Sequence, residues 1–208
     1  MNQTLALAAV TAVLKYLLEN GLVDHSITTA LGGDTTISAL PPDRIANSSA
    51  EKNRLNLFLY EVRSKGLYAA SRHAAGEGAA PVNTPPRSLE LRYVLTAYGE
   101  DDLQTEILLG YGFELFHCNP ILDAPAIRRI LKAVSTQSGG HLIPPSRAVM
   151  SDPRLAESLT AIKIRPQAVE TEDMVNLWSA FQVSYRLSMI FQVSVEITEE
   201  PSSGEKGR

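Results

Sequence analysis

An α+β fold is what this 208-residue sequence predicts: a mixed, largely antiparallel sheet flanked by helices. Three observations predict it. Apolar and polar residues alternate at 54–63, 88–98, 159–165 and 187–197, the period-two signature of strands. Segments with helix patterning or helix-start signals fill 4–20, 101–117, 125–134 and 171–181, with apolar residues three and four apart where the stripe is clearest. The order of these elements lacks the strict strand–helix–strand rhythm of a doubly wound parallel sheet.

Taken in order, Leu7, Val10, Leu14, Leu17 and Leu18 form one stripe of a first helix over 4–20, with Gly21 as its expected stop. Residues 25–48 are rich in Thr, Gly, Asp and Ser. Short strands at 27–29 and 35–37 around Gly32-Gly33-Asp34 suggest a small hairpin, and Pro41-Pro42 breaks the chain after it. The strand at 54–63 carries Leu55, Leu57 and Leu59 on one face and Asn56, Phe58 and Tyr60 on the other. Bulk on both faces predicts cover on both sides. Residues 64–87, with three prolines and two of their glycines close together, form a long loop that suits a partner-binding segment.

Alternation resumes at 88–98, with Leu89, Leu91, Tyr93, Leu95 and Ala97 on one face, and Gly99 ends the strand. Asp101 and Asp102 suit the entry of a helix running to about His117 and burying Ile107, Leu108, Tyr111 and Leu115. Asp123 can cap a short helix over Pro125–Val134. A loop over 135–154 leads to a strand at 159–165, and Thr171 is the expected N-cap of a helix through Phe181. The last strand is the clearest. Leu187, Met189, Phe191, Val193, Val195 and Ile197 are apolar, while Ser188, Gln192, Ser194, Glu196 and Thr198 between them are polar and only Ile190 breaks the pattern.

The hydrophobic share of 44% and charged share of 20% suit one sizeable core. The expected division is a single domain over 1–198, including the 64–87 loop, followed by a mobile polar tail at 199–208. A net charge of -4 argues against a protein that mainly neutralises nucleic-acid phosphates. Cys118 is the sole cysteine, which excludes an intrachain disulfide framework. The apolar run Leu5–Val10 has no basic residue before it and reads as an ordinary helix rather than a signal peptide. No stretch reaches membrane-spanning length, so a cytoplasmic location is the default expectation.

A search for chemistry assigns no catalytic, cofactor-binding or metal-binding residue. His25, His73, His117 and His141 do not pair at helical spacing, and His117 beside Cys118 would point about 100° away from it on a helix. Gly110-Tyr111-Gly112 falls inside a helix, not after a strand, and no serine sits in a nucleophile elbow. Asp101, Asp102 and Glu106 are explained by helix-end charge, and Trp178 by the core. Arg44, Lys52, Arg54, Arg63, Lys65 and Arg72 are scattered without aromatic interleaving and read as a solvated face.

With these segments placed, the sequence resembles a known family. The residues concerned are Asn53-Arg54-Leu55-Asn56-Leu57-Phe58-Leu59-Tyr60, then Leu89-Glu90-Leu91-Arg92-Tyr93-Val94-Leu95-Thr96-Ala97-Tyr98-Gly99. Leu108-Leu109-Gly110 with His117, Pro120-Ile121-Leu122 and Leu177-Trp178-Ser179-Ala180 follow. Tyr185-Arg186-Leu187-Ser188 and the closing strand complete the set. Their order and spacing resemble the cap, or tail-terminator, proteins of phage-tail-like contractile injection systems, of the virulence-cassette and antifeeding-prophage type. The resemblance implies a non-enzymatic subunit without cofactor. It implies a homo-hexameric ring on the distal end of the inner tube that contacts the last sheath layer, with self, tube protein and sheath protein as partners. Small-molecule substrate, nucleic acid and membrane insertion are not expected. Two other readings stand beside it: an adaptor recruiting a partner through the 64–87 loop, and a small hydrolase whose site would join His117 or His141 to a serine and a buried carboxylate.

Overall fold

The computed structural model describes residues 5–24, 34–46, 53–65, 87–136 and 152–198. Among them are six helices and six strands. The helices are α1 (Ala6–Asp24), α2 (Pro42–Ala46), α3 (Gln104–Cys118), α4 (Ala124–Thr136), α5 (Pro153–Ser158) and α6 (Thr171–Ala180). The strands are β1 (Thr36–Ser38), β2 (Arg54–Lys65), β3 (Arg87–Tyr98), β4 (Ile121–Asp123), β5 (Leu159–Gln167) and β6 (Ser188–Ile197). They form one sheet in the order β1-β2-β3-β6-β5-β4. Only β1 and β2 run parallel; the other pairs are antiparallel. The predicted α+β class with a mixed, largely antiparallel sheet is therefore the observed one.

The alternation read from sequence becomes two faces. Leu57, Leu91, Leu95, Phe191, Val193, Val195, Ile162 and Ile164 point to one face and are fully or almost fully buried. Helices α1, α3, α4 and α5 cover that face, and their buried residues join one core that runs from Ala6 to Ile197. On the opposite face Val94, Ile190, Met174 and Trp178 make a second, smaller core beneath α6, with Phe58 and Tyr60 packed against it. The expectation that β2 is covered on both sides is met there. Ile190, the one apolar residue out of step in β6, belongs to this second core.

Polar side chains pin the layers at chosen points. Asn56 is buried in β2. Its Nδ2 donates to the Leu40 carbonyl at 2.9 Å, and its Oδ1 accepts from Ser38 Oγ at 2.7 Å and from the Leu40 amide at 3.0 Å. One amide thus secures the segment that leaves β1, and a buried polar group with its bonds made avoids a desolvation penalty. Thr11 Oγ1 donates to the Leu7 carbonyl at 3.0 Å, so its single proton is used and the contact with Tyr93 at 2.9 Å is donated by the tyrosine. Tyr111 Oη donates to the Leu18 carbonyl at 2.6 Å and joins α3 to α1.

Several elements differ from the sequence reading. Helix α1 continues through Gly21 to Asp24. A Cβ on Gly21 would lie 2.5 Å from Tyr111 Oη and 2.9 Å from Leu115 Cδ1, so this glycine permits close helix packing instead of ending the helix. Strand Thr36–Ser38 pairs in parallel with Arg54–Asn56; the other half of the expected hairpin, 27–29, lies outside the described residues. Pro42 and Pro153 open short helices rather than only interrupting the chain, because proline suits the first helical turn. Ile107 is 38% exposed, since α3 turns Leu108, Tyr111 and Leu115 inward and the preceding position rotates out. Glu170, not Thr171, is the residue before the first turn of α6, and it makes no side-chain capping bond. Tyr185 and Leu187 precede β6 and are exposed. Asp123 does cap α4, accepting from the Ala126 amide at 2.9 Å. Most of the 64–87 loop and the 199–208 tail lie outside the described residues.

Two outcomes follow from the facing of these strands. Val193→Asp should leave no folded population in a thermal melt, because an unpaired buried carboxylate costs as much as a domain's total stability of about 5–15 kcal/mol. Ser194→Ala, one residue along on the other face, should change stability by less than about 1 kcal/mol. Equal melting of the two variants would show the facing to be wrong. Burial raises the Tyr93 phenol above its ordinary value of 10.0. A raised native value gives stability that is complete below pH 10.0 and falls as the unfolded chain ionises above it. Denaturant titrations from pH 8 to 11 should therefore show steeper alkaline loss for the wild type than for Tyr93→Phe.

Candidate functional site

Among the described residues, those that could carry chemistry do not converge. His117 is exposed at the end of α3, its ring stacked on Phe113 at 5.8 Å, and the exposed Cys118 follows it. His25, His73 and His141 lie outside the described residues. Among the described residues no group of three metal-ligating side chains assembles.

The acidic cluster at 100–106 builds the entry to α3. Gln104 Oε1 accepts from the Glu100 and Asp101 amides, each at 3.0 Å, and its Nε2 donates to Asp101 Oδ2 at 2.9 Å. Leu103 takes a left-handed conformation with φ of 65° to make the turn. A Cβ on Gly99 would sit 2.7 Å from Gln104 Cβ, so the chain needs glycine for this close approach. Glu106 is held below the ordinary carboxylate range by the Thr105 hydroxyl, which donates to it at 2.7 Å. The sequence reading credited the aspartates with opening the helix; it missed Gln104, whose signal is an amide just after a turn that exposes two backbone N–H groups.

A cleft of about 850 Å³ opens between α2, the end of β3 and the end of α6, lined by Asp43, Tyr98, Trp178, Ser179, Gln182 and Arg186 among others. Arg186 lies over the Tyr98 ring with its guanidinium carbon 4.8 Å from the ring centre, a cation–π contact. Trp178 Nε1 donates to Ser188 Oγ at 3.0 Å, and Ser188 in turn donates to the Arg186 carbonyl at 2.8 Å. These bonds fix the rim of the cleft. Ser179 gives its proton to the Val175 carbonyl at 2.8 Å, and the described lining contains no histidine to serve it as a base. His117 lies on α3, across the sheet. The arrangement the hydrolase reading requires is not made by these residues.

What the fold does present is a broad polar surface. Beyond α6, the second face of the sheet carries two cross-strand rows: Glu61, Arg92, Gln192 and Arg165, then Arg63, Glu90, Ser194 and Lys163. Arg92 Nη1 lies 3.1 Å from Glu61 Oε2, and Arg63 also bonds Glu61. Gln192 donates to Glu90 across β6 and β3. Lys163 Nζ lies 2.7 Å from Glu196 Oε1. Ile121, 62% exposed on the edge strand, ends the second row. These rows form an open polar surface and not an enclosing pocket.

The sequence profile of the family described as the Pvc16 N-terminal domain matches residues 9–208. The chain belongs to this family. No curated protein matches it by sequence. Among solved structures, it is similar to the sheath/tube terminator of an extracellular contractile injection system, PVC, in the extended state. That likeness has 13% identity and a TM-score of 0.47, covering 89% of this chain and 58% of the other. It is also similar to the tube-terminating cap of the anti-feeding prophage, at 14% identity and a TM-score of 0.47, covering 91% of this chain and 57% of that one. The chain thus spans somewhat over half the length of each.

Within this member of the Pvc16 N-terminal domain family, the residue runs quoted for the resemblance fall on β2, β3, α3, β4 and the α6–β6 corner. Most of their apolar members are core residues. The residues that carry the resemblance are therefore mainly ones that build the fold. Exposed ion pairs contribute little, so Lys163→Gln with Arg165→Gln should cost less than about 1 kcal/mol in a denaturant titration, against about 3–5 kcal/mol for Trp178→Ala. A double-glutamine loss as large as that of Trp178→Ala would show that the polar rows hold the fold together.

Proposed function

We propose that the chain is a structural cap, a tail terminator, of a contractile injection system. In this reading it forms a homo-hexameric ring on the end of the inner tube distal to the baseplate. There it contacts the last sheath layer, ends polymerisation and couples sheath to tube. It acts through surfaces and carries out no reaction. Its partners are copies of itself, the tube protein and the sheath protein. It is assembled in the cytoplasm and incorporated at the distal end of the particle.

The observation that carries this reading is membership of the Pvc16 N-terminal domain family over residues 9–208. The architecture suits it. A cap must transmit load between neighbours without deforming, and a six-stranded sheet with helices on one face and a second core on the other resists bending. A ring also needs two different patches per subunit that complement each other, so that head-to-tail contacts close. The main core, which draws on residues from Ala6 to Ile197, supports one domain over 1–198.

Electron microscopy of particles from a strain lacking the gene tests the proposal. Tubes of irregular length, or sheaths detached from tubes at the end distal to the baseplate, are expected. Particles with normal length and normal ends would overturn it.

A further inference from the structure

Helix α3 carries an outer face that nothing in the described fold explains. Beside its charged residues this face carries large apolar side chains, and contiguous exposed apolar surface marks a contact site. The inward residues of α3, among them Leu108, Tyr111 and Leu115, are buried in the core, yet Leu103 is 60%, Ile107 38% and Phe113 36% exposed. Gly110 sits among them at the helix centre. A glycine there costs helix stability relative to alanine. The neighbouring Gly112 has an internal reason, since its Cβ would meet Leu95 Cδ2 at 2.7 Å. Gly110 has none: nothing lies within 4 Å of a Cβ placed on it. Residues 106, 107, 113 and 114 surround it on the ridges three and four positions away. Gly110 is thus the floor of a notch in an apolar ridge, open to whatever approaches from outside.

Charge indicates the visitor. The outer face of α3 also exposes Glu106 and Glu114. Helix α4 is built the other way: Ile127, Ile130, Leu131 and Val134 are buried, while Arg128, Arg129 and Lys132 are exposed on its outer face. None of these three cations pairs with a carboxylate among the described residues. The chain therefore presents an acidic, notched helix face and a basic helix face, two unlike patches that complement each other between copies.

We propose that the outer face of α3 docks against the basic outer face of α4 on a second copy of this chain, with Gly110 at the point of closest approach. The contact is heterologous, as a closed ring requires. The inference rests on the cap reading only in expecting copies to meet.

Sedimentation velocity of the full-length chain over a concentration series is the test. The wild type should self-associate reversibly. Gly110→Leu should keep or raise the melting temperature, because leucine is the better helix former in open space. The same substitution should weaken association about tenfold or more, the usual effect of overpacking a fitted contact. Charge reversal gives an independent measurement. A chain with Glu106→Lys and Glu114→Lys, and another with Arg128→Glu and Arg129→Glu, should each associate poorly with itself. Mixed, the two should associate, because each then brings one patch that matches the other. A wild type that stays monomeric at every concentration overturns the proposal and leaves the α3 face to a tube or sheath subunit. So does association indifferent to Gly110→Leu and to both reversals. Either failure differs from failure of the cap reading, which is read from particle ends.

Discussion

The arrangement of the sheet depends on β6 entering the gap between β3 and β5. Strands β1, β2 and β3 form one half and β4 and β5 the other, and within the sheet they meet only through β6. Residues 188–197 pair with 87–96 on one side and 159–167 on the other. Phe191, Val193, Val195 and Ile197 then complete a face already prepared by Leu91, Tyr93, Ile162 and Ile164. Phe191 also meets the edge of the Phe116 ring at 5.0 Å, which ties the strand to α3. Because β6 pairs with β3, about a hundred residues earlier in the sequence, the sheet closes through contacts of long sequence separation, a feature of slow folding.

The two faces of this sheet carry different burdens. Helices bury the first almost completely, and its side chains are committed to stability. The second is divided. Helix α6 covers one end, where Trp178 is buried against Val94 and Ile190, with Phe181 at its edge. The other end displays rows of opposite charge that bond one another across strands. Pairs this exposed add little to folding, yet they fix the pattern of charge a partner would meet.

How much of this was legible in the sequence varies with the kind of signal. Long alternating runs identified β2, β3, β5 and β6 within a few residues, because each keeps a period of two over most of its length. The break at Ile190 was visible, but its meaning needed Trp178 and Val94, which come near only in the fold. The strand read at 35–37 is β1, but its parallel pairing with β2 was not visible, and the three-residue β4 carries too few alternations to register. Helix α5 left a readable trace in Asp152-Pro153, where Asp152 Oδ1 accepts from the Arg154 amide at 2.9 Å, but a region rich in proline and glycine obscured it. Absence of catalytic motifs was plain in the chain; the polar rows were not, since they draw on strands separated by up to about a hundred residues.

Two single-residue irregularities decide which residues reach that polar face. In β2 the odd positions Leu55, Leu57 and Leu59 point to the main core, and strict alternation would send Glu61 and Arg63 after them. Instead the pairing passes from Leu59 with Tyr93 to Glu61 with Arg92, so Tyr60 is an extra residue and the parity reverses. Glu61 and Arg63 then join Arg92 and Glu90 on the open side, while Val62 takes the core-side position opposite Leu91. The same device works in β5. Leu159 and Ile162 could not both face the core in a regular strand, three residues apart. The shift between Leu159 and Ala161 makes Thr160 the extra residue, and its hydroxyl donates to the Glu196 carbonyl at 3.1 Å. Both leucine and isoleucine are fully buried as a result. A bulge in each flanking half of the sheet thus sorts charge outward and bulk inward, and the polar surface exists because the alternation is broken at those two points.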